Sequence, residues 1–193
     1  MNSYNSVRKE SLEIHPVTPE RWADMQQLFS VHGATGGCWC MWWRIPRSEF
    51  GKGGESNRQA MEKLIHQGAV PGLLAYLDGA PAGWISVGPR EDYGALERSR
   101  TLKRLDDQPV WSIVCFFIGR AYRLHGLMLP LIRAAVDYAR AHGAKIIEAY
   151  PVDPSGKVSS NSLFTGLAKV FAETGFVEMM RPSPNRPILR LIL

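Results

Sequence analysis

The stretch 110-VWSIVCFFIGRAYRLHGLM-128 decides how this chain folds. Its first half, Val110 to Ile118, is a continuous apolar run rich in β-branched and aromatic residues, the pattern of a strand buried on both faces. Beyond Gly119 the period changes. Leu127, Leu131, Ala134 and Tyr138 fall on one side of a helix, and Arg133, Asp137 and Arg140 form a polar stripe on the other. Gly143, just past His142, is a helix stop. The next run, 145-KIIEAY-150, reads as a strand, so the segment is a β-α-β unit. The turn between strand and helix holds Arg120, Arg123 and Gly126. The first N–H groups of a helix have no internal partner and carry partial positive charge, which makes an anion site. Gly126 would let an anion approach the backbone closely. An ordinary strand-to-helix turn with one glycine shows the same residues.

Working outward, 11-SLEIHPV-17 reads as a first strand and 18-TPERWADMQQLFSVHG-33 as a helix, with Thr18 at its N-cap and Pro19 in its first position. A second helix begins near Ser56 or Asn57 and turns Met61, Leu64 and Ile65 inward. In 72-GLLAYLDGAPAGWISVG-88, Asp78-Gly79 is a hairpin turn between two strands. A charged loop runs from Pro89 to Pro109. A short helix follows Thr165 and ends at Gly175, and 176-FVEMMR-181 and 187-PILRLIL-193 close the chain as strands. The order β-α-α-β-β-β-α-β-α-β-β predicts one α/β domain over residues 11–193. Its sheet is mixed and mostly antiparallel, carries a β-α-β unit, and has helices on both faces. Residues 1–10 are polar and are expected to form a flexible tail.

With 193 residues, the chain is long enough for one domain with a substantial core. Hydrophobic residues are 45% and charged ones 21%, ordinary for a soluble globular protein. No run approaches the ~18 apolar residues of a membrane span, and the N-terminus has no apolar h-region. A cytoplasmic protein with no membrane partner is expected. The net charge is +5, but Lys and Arg are scattered, and the densest patch, 97-ERSRTLKR-104, includes Glu97. A solvated basic loop fits this better than a nucleic-acid surface. A modest positive field would draw in a phosphorylated cofactor.

The stretch 36-GGCWCMWWRIP-46 holds two of the three cysteines and three of the six tryptophans. A structural zinc needs about four ligands, and neither a second Cys pair nor a His pair follows, so no metal is expected. A redox pair usually has Cys-x-x-Cys at a helix start, a spacing absent here. Three cysteines do not make a disulfide framework, and Cys115, inside its apolar run, reads as a small core residue. Two readings stay open for the stretch: a core segment, or the wall of a pocket. Tryptophan joins a large apolar area to one N–H donor, which suits a semi-polar wall.

The order of elements, Arg123-x-x-Gly126 at the strand-to-helix turn, and 173-ETGF-176 before a late strand resemble the GNAT superfamily of acyl-CoA-dependent N-acetyltransferases, over residues 11 to about 180. Met128 departs from the family pattern, which has Gly or Ala there. The resemblance implies acetyl-CoA as co-substrate. Its pantetheine would pair along Phe116, Phe117 and Ile118, and its pyrophosphate would lie on Arg123, Leu124, His125, Gly126, Leu127 and Met128. A long side chain at Met128 must turn away from such a site, and Pro130 is best placed in the first helical turn. The implied reaction is attack of a neutral amine on the thioester, with a backbone N–H between Cys115 and Ile118 holding the oxyanion. The family's acidic Tyr on the last helix aligns with Phe171, which has no proton to give. Glu148 is the first candidate for a general base and Tyr150, on the same face by alternation, the second. Glu91, Asp92, Asp106 and Asp107 read as solvated loop charges. By the family's layout the Cys-Trp stretch overhangs the acceptor side, so Cys38, Trp42, Arg44 and Trp84 are candidate acceptor contacts. Arg44 would meet a carboxylate or phosphate, and Gly36-Gly37 would let the wall move. The expected function is N-acetylation of a small-molecule amine. A CoA-binding module without transfer activity is the alternative. A homodimer through the apolar end 188-ILRLIL-193 is a further expectation.

Overall fold

The structure, a computed structural model, describes residues 11–30, 34–51, 53–154 and 160–193. The tail expected over residues 1–10 lies outside them. Strands β1 (Leu12–Pro16), β2 (Gly72–Leu77), β3 (Ala80–Pro89), β4 (Trp111–Ile118), β5 (Ile146–Ala149), β6 (Val177–Ser183) and β7 (Arg186–Ile192) form one sheet in the order β1-β2-β3-β4-β5-β7-β6. Neighbours are antiparallel except β4 and β5. That pair is joined through a helix, and a crossover of this length brings the chain back in the same direction. The helices are α1 (Trp22–Phe29), α2 (Arg47–Phe50), α3 (Gly54–His66), α4 (Gly94–Glu97), α5 (Met128–Ala141) and α6 (Ala168–Ala172).

Strand alternation feeds two cores. Leu73, Ala75 and Leu77 of β2 and Ile85 and Val87 of β3 point toward α5 and α6. Leu74 and Trp84 point the other way, toward α1 and α3. Helix α5 buries Leu131, Ile132, Ala135, Val136 and Ala139. Each Leu or Ile so placed is worth ~1.5–3 kcal/mol. Ala134 and Tyr138, expected at the centre of this face, lie at its margin and are only half-buried. The cause is Ile132 and Val136, which turn the apolar stripe by about one residue.

Two other expectations are corrected. The segment from Pro89 to Pro109, expected as a plain charged loop, is anchored by its own Arg90, Tyr93, Leu96 and Leu102, which are buried, while Glu91, Asp92, Asp106 and Asp107 are exposed. The run 188-ILRLIL-193 offers no free edge, since β7 lies between β5 and β6. The edge strand on this side is β6, which exposes Val177, Met179 and Met180.

The packed loop is tied to the sheet by ions. Arg90 is wholly buried. Its Nη1 donates to Tyr150 Oη at 2.7 Å and to Glu148 Oε2 at 3.3 Å, and its Nη2 donates to the Leu102 carbonyl at 2.7 Å. Its Nε donates to Glu97. Glu148 Oε1 accepts from Arg190 Nε at 2.7 Å, and Oε2 accepts the Tyr150 hydroxyl at 2.6 Å. Arg190 also grips Asp106 with both Nη atoms. One cluster therefore joins β5, β7, the end of β3 and the loop.

Glu148→Gln should lower the unfolding free energy by about 3 kcal/mol in urea titrations, because Arg90 stays buried with a counter-charge missing. The Asp106 carboxyl has a pH signature of its own. Its hydrogen bonds from Arg190 hold it down at about 2, from an ordinary 3.8. A depressed carboxyl contributes stability above its unfolded value, which is lost as pH falls through the folded one. Thermal melts between about pH 5 and about pH 2 should therefore fall less steeply for Asp106→Asn than for the wild type.

Candidate acetyl-transfer site

Strand β4 contains the central irregularity. Ser86 pairs with Cys115 and Val87 with Ile113, which leaves Val114 as an extra residue. This is a β-bulge. Val114 and Cys115 consequently both face α1, and Phe116 returns to the α5 side. Before the bulge, β4 pairs with β5 from Trp111–Ile147 to Ile113–Ala149. Beyond it, among the described residues, no strand pairs with that edge of β4. The chain leaving β5 turns instead to Leu167: Val152 N–H donates to the Gly166 carbonyl at 2.9 Å, and Ala168 N–H donates to the Val152 carbonyl at 3.0 Å. The two strands thus part in a V. Trp43 Nε1 donates to the Val114 carbonyl at 3.1 Å and holds the bulge from the α1 side.

Where β4 ends, the chain passes through Arg120–Tyr122 into the turn before α5. Gly126 has φ +72°, and a Cβ there would meet nothing within 4 Å, so the backbone is open to a ligand. Leu127 follows at φ −61° and ψ −19°. A left-handed residue followed by a right-handed one turns successive N–H groups to one side, an anion nest. Among the described residues, Leu127 at the N-cap of α5 makes no side-chain cap bond. Pro130, its third residue, needs no N–H in the first turn. Met128 packs against the α5-side core and leaves the nest clear. Arg120 and Arg123 are exposed beside it. These residues fit the pyrophosphate of a CoA ester, and the open edge of β4 fits its amide-bearing arm.

On the α1 side of the bulge lies a cavity of about 260 Å³ lined by Ala34, Gly36, Cys38, Cys40, Trp42, Trp43, Phe50, Cys115, Phe116, Phe117 and Phe164. Its wall is the Cys-Trp stretch, which is both core and pocket. Trp39 and Cys40 take left-handed φ values of 43° and 53°. For non-glycine residues this costs ~1–3 kcal/mol each. The surroundings enforce it: Trp39 stacks on Phe29 at 5.3 Å, and Cys40 Sγ accepts Trp84 Nε1–H at 3.0 Å and lies 2.9 Å from Cys115 Sγ. That turn brings Cys38, Trp42 and Trp43 to the cavity. Hydrogen bonding with Cys40, then burial, pushes the Cys38 thiol well above its ordinary value, and burial does the same to Cys40. Both remain protonated thiols at neutral pH. Among the described residues no group of three or more His, Cys, Asp or Glu could hold a metal ion.

The structure separates the residues expected to act together. Cys38 and Trp42 line the cavity, Phe116 and Phe117 close it from β4, and Ile118 leads from β4 toward the turn. Trp84 does not reach the cavity; it is wholly buried beneath Cys40. Arg44 also points elsewhere. Its guanidinium lies over the Tyr93 ring at 4.4 Å and donates to the Pro71 carbonyl and Tyr93 Oη, so it cannot greet an acceptor. Glu148 is corrected as a base: it is 1% exposed, and its oxygens are taken by Arg90, Arg190 and Tyr150. Tyr150 belongs to the same cluster, and burial pushes its hydroxyl well above the usual range. Gly37 is no hinge, being buried with its carbonyl bonded to Asn57 Nδ2 at 2.9 Å. His125 and Leu124 are exposed on the turn. Sequence reasoning missed Trp43, Phe50 and Phe164. Trp43 stood in the quoted stretch, but its partner is a carbonyl freed by a bulge, which leaves no sequence signal.

Comparison with known proteins agrees with this fold. The model of the acetyltransferase (GNAT) family matches residues 39–164. Among solved structures, the PaiA N-acetyltransferase of Thermoplasma acidophilum in complex with coenzyme A is 11% identical, with a TM-score of 0.53 over 95% of this chain and 99% of that one. The polyamine N-acetyltransferase of Drosophila melanogaster is 11% identical, with a TM-score of 0.56 over 95% and 100%. An aminoglycoside N-acetyltransferase, AAC(6')-Iy, in complex with CoA is 17% identical, with a TM-score of 0.54 over 91% and 93%. At such identities these structures share the fold. No curated protein sequence matches significantly. With the family match spanning most of the chain, from the Cys-Trp wall to Phe164, this protein belongs to the acetyltransferase (GNAT) family and is an acetyl-CoA-dependent acyltransferase.

Proposed function

We propose that the protein transfers the acetyl group of acetyl-CoA to the amine of a small molecule. The observation that carries this reading is the meeting of two spaces at the β4 bulge: an aromatic cavity on one side and the unpaired strand edge leading to the anion nest on the other. Acetyl-CoA supplies a thioester carbonyl open to attack. In this reading the nest from Leu124 to Met128 holds its phosphates, with Arg120 and Arg123 adding charge, and the free edge at Cys115 to Ile118 orients its pantetheine. Backbone N–H groups near the bulge oppose the charge that develops on the carbonyl oxygen. Trp43 keeps those groups in place through the Val114 carbonyl. The aromatic walls exclude water, which favours aminolysis over hydrolysis.

No acid is needed for the leaving group. Phe171 is wholly buried against Phe116 and Phe176 and has no proton to give. A thiol of ordinary pKa, about 8.5, leaves as the thiolate unaided. A small acceptor is favoured over a protein because the cavity is of about 260 Å³ and lined largely by aromatic rings.

Calorimetric titration with acetyl-CoA should give one-to-one binding, and release of CoA thiol should require an added amine. Binding without amine-dependent release would sink the transfer reading and leave a CoA-binding module. Gly126→Val should raise KM for acetyl-CoA about tenfold or more, because a β-branched residue is strained at positive φ and its side chain intrudes on the nest. Trp43→Phe should lower kcat about fivefold at unchanged KM for acetyl-CoA, the equivalent of one neutral hydrogen bond of ~1 kcal/mol.

A further inference from the structure

We infer that the acceptor is a primary amine on a compact apolar body, such as a single aromatic ring, with no second charge, and that it enters the cavity as the neutral base. This rests on the acetyl-transfer reading above. The cavity, about 260 Å³, is smaller than the ~300–1,000 Å³ of sites for drug-sized ligands. Trp42, Trp43, Phe117 and Phe164 line it, with the thiols of Cys38, Cys40 and Cys115. Among the described residues no carboxylate, imidazole or hydroxyl lines it. An ammonium ion entering this space would lose its water and find no counter-charge, a heavy cost.

Aromatic faces can hold a cation, but here the best one is engaged. The Arg47 guanidinium lies 4.1 Å from the Trp42 ring centroid, and Trp43 and Phe50 meet the same indole edge-on. The Trp43 N–H is committed to Val114. The net charge of +5 and the exposed Arg120 and Arg123 also oppose a polycation. The polyamine and aminoglycoside classes named for two fold neighbours are therefore poor fits to this cavity. With Glu148 locked in its cluster, no described side chain of the cavity takes the proton. The amine must lose it to solvent, so its own pKa governs how much reactive base is present.

The test compares 2-phenylethylamine, spermidine and kanamycin as acceptors at saturating acetyl-CoA, with product measured by mass spectrometry. The expected kcat/KM for 2-phenylethylamine is at least ~100-fold above the other two, since each of those brings unpaired charge into the cavity. The ascending limb of the pH profile should move when one aryl amine is exchanged for another of different pKa. Trp42→Ala should raise KM for 2-phenylethylamine about tenfold and leave KM for acetyl-CoA within about twofold, from lost ring contact. Binding is followed separately by tryptophan emission as 2-phenylethylamine is added in the presence of CoA. Preference for spermidine or kanamycin would overturn this inference and leave acetyl transfer standing, as would a pH limb that stays fixed for every amine. Saturable binding of 2-phenylethylamine with no acetylation of any amine would sink the transferase reading and support the ligand class. Neither binding nor acetylation of 2-phenylethylamine overturns the inference.

Discussion

Strand β4 has to be paired with β5 at one end and parted from it at the other, and the site depends on that divergence. Two parallel strands left to themselves would zip along their whole length, because each unmade backbone hydrogen bond in a buried place is costly. The V stays open because the arm leaving β5 is occupied elsewhere and β4 bends at its bulge. The Val114 bulge shifts the register of β4, and the chain beyond β5 bonds to Gly166 and Ala168. The closed end is held by the Glu148 cluster, whose Arg90, Arg190 and Tyr150 come from separate elements. A buried ionic cluster is weak evidence of stability in itself. Its use here is positional: it fixes where pairing stops.

Charge is distributed to match. Ion pairs concentrate at the closed end of the V and under the loop between β3 and β4. Positive charge and open N–H groups gather at the turn before α5. The aromatic cavity between these regions has only rings, thiols and small apolar groups among its described walls. A site of this kind acts by orientation and exclusion of water rather than by moving protons through side chains. The proposed reaction asks for no more, since its nucleophile would arrive neutral and its leaving group is a modest base.

The aromatic wall shows how local strain is sustained by packing. Left-handed Trp39 and Cys40 would not persist in an isolated peptide. They persist because Phe29 stacks on Trp39 and because Trp84 and Cys115 contact the Cys40 sulfur. Core and pocket are successive residues of one segment here, so a change at Trp39 or Trp84 would reach the cavity through the wall it supports.

The sequence by itself determined the seven strands, four of the six α-helices, the mixed sheet with its β-α-β unit, and the turn with Arg123 and Gly126. Each of these rests on local signals: the unbroken apolar run of β4, the helical period of α5, Asp78-Gly79, and glycines where φ is positive. The Cys-Trp stretch was legible as unusual, and its role as pocket wall came from family layout. What only the tertiary structure decided was the fate of polar side chains. Glu148 looked like a base and is bound by two guanidiniums; Arg44 looked like an acceptor contact and is spent on Tyr93 and Pro71. Arg90 lay in a stretch that read as solvated loop and is wholly buried. Trp43 became a support of the bulge only because Val114 leaves the ladder. Backbone periodicity is set by neighbours in sequence, so it can be read there. The partner of a charged or indole side chain is set by residues far along the chain, 58 apart for Arg90 and Glu148 and 71 for Trp43 and Val114, and only folding brings them together.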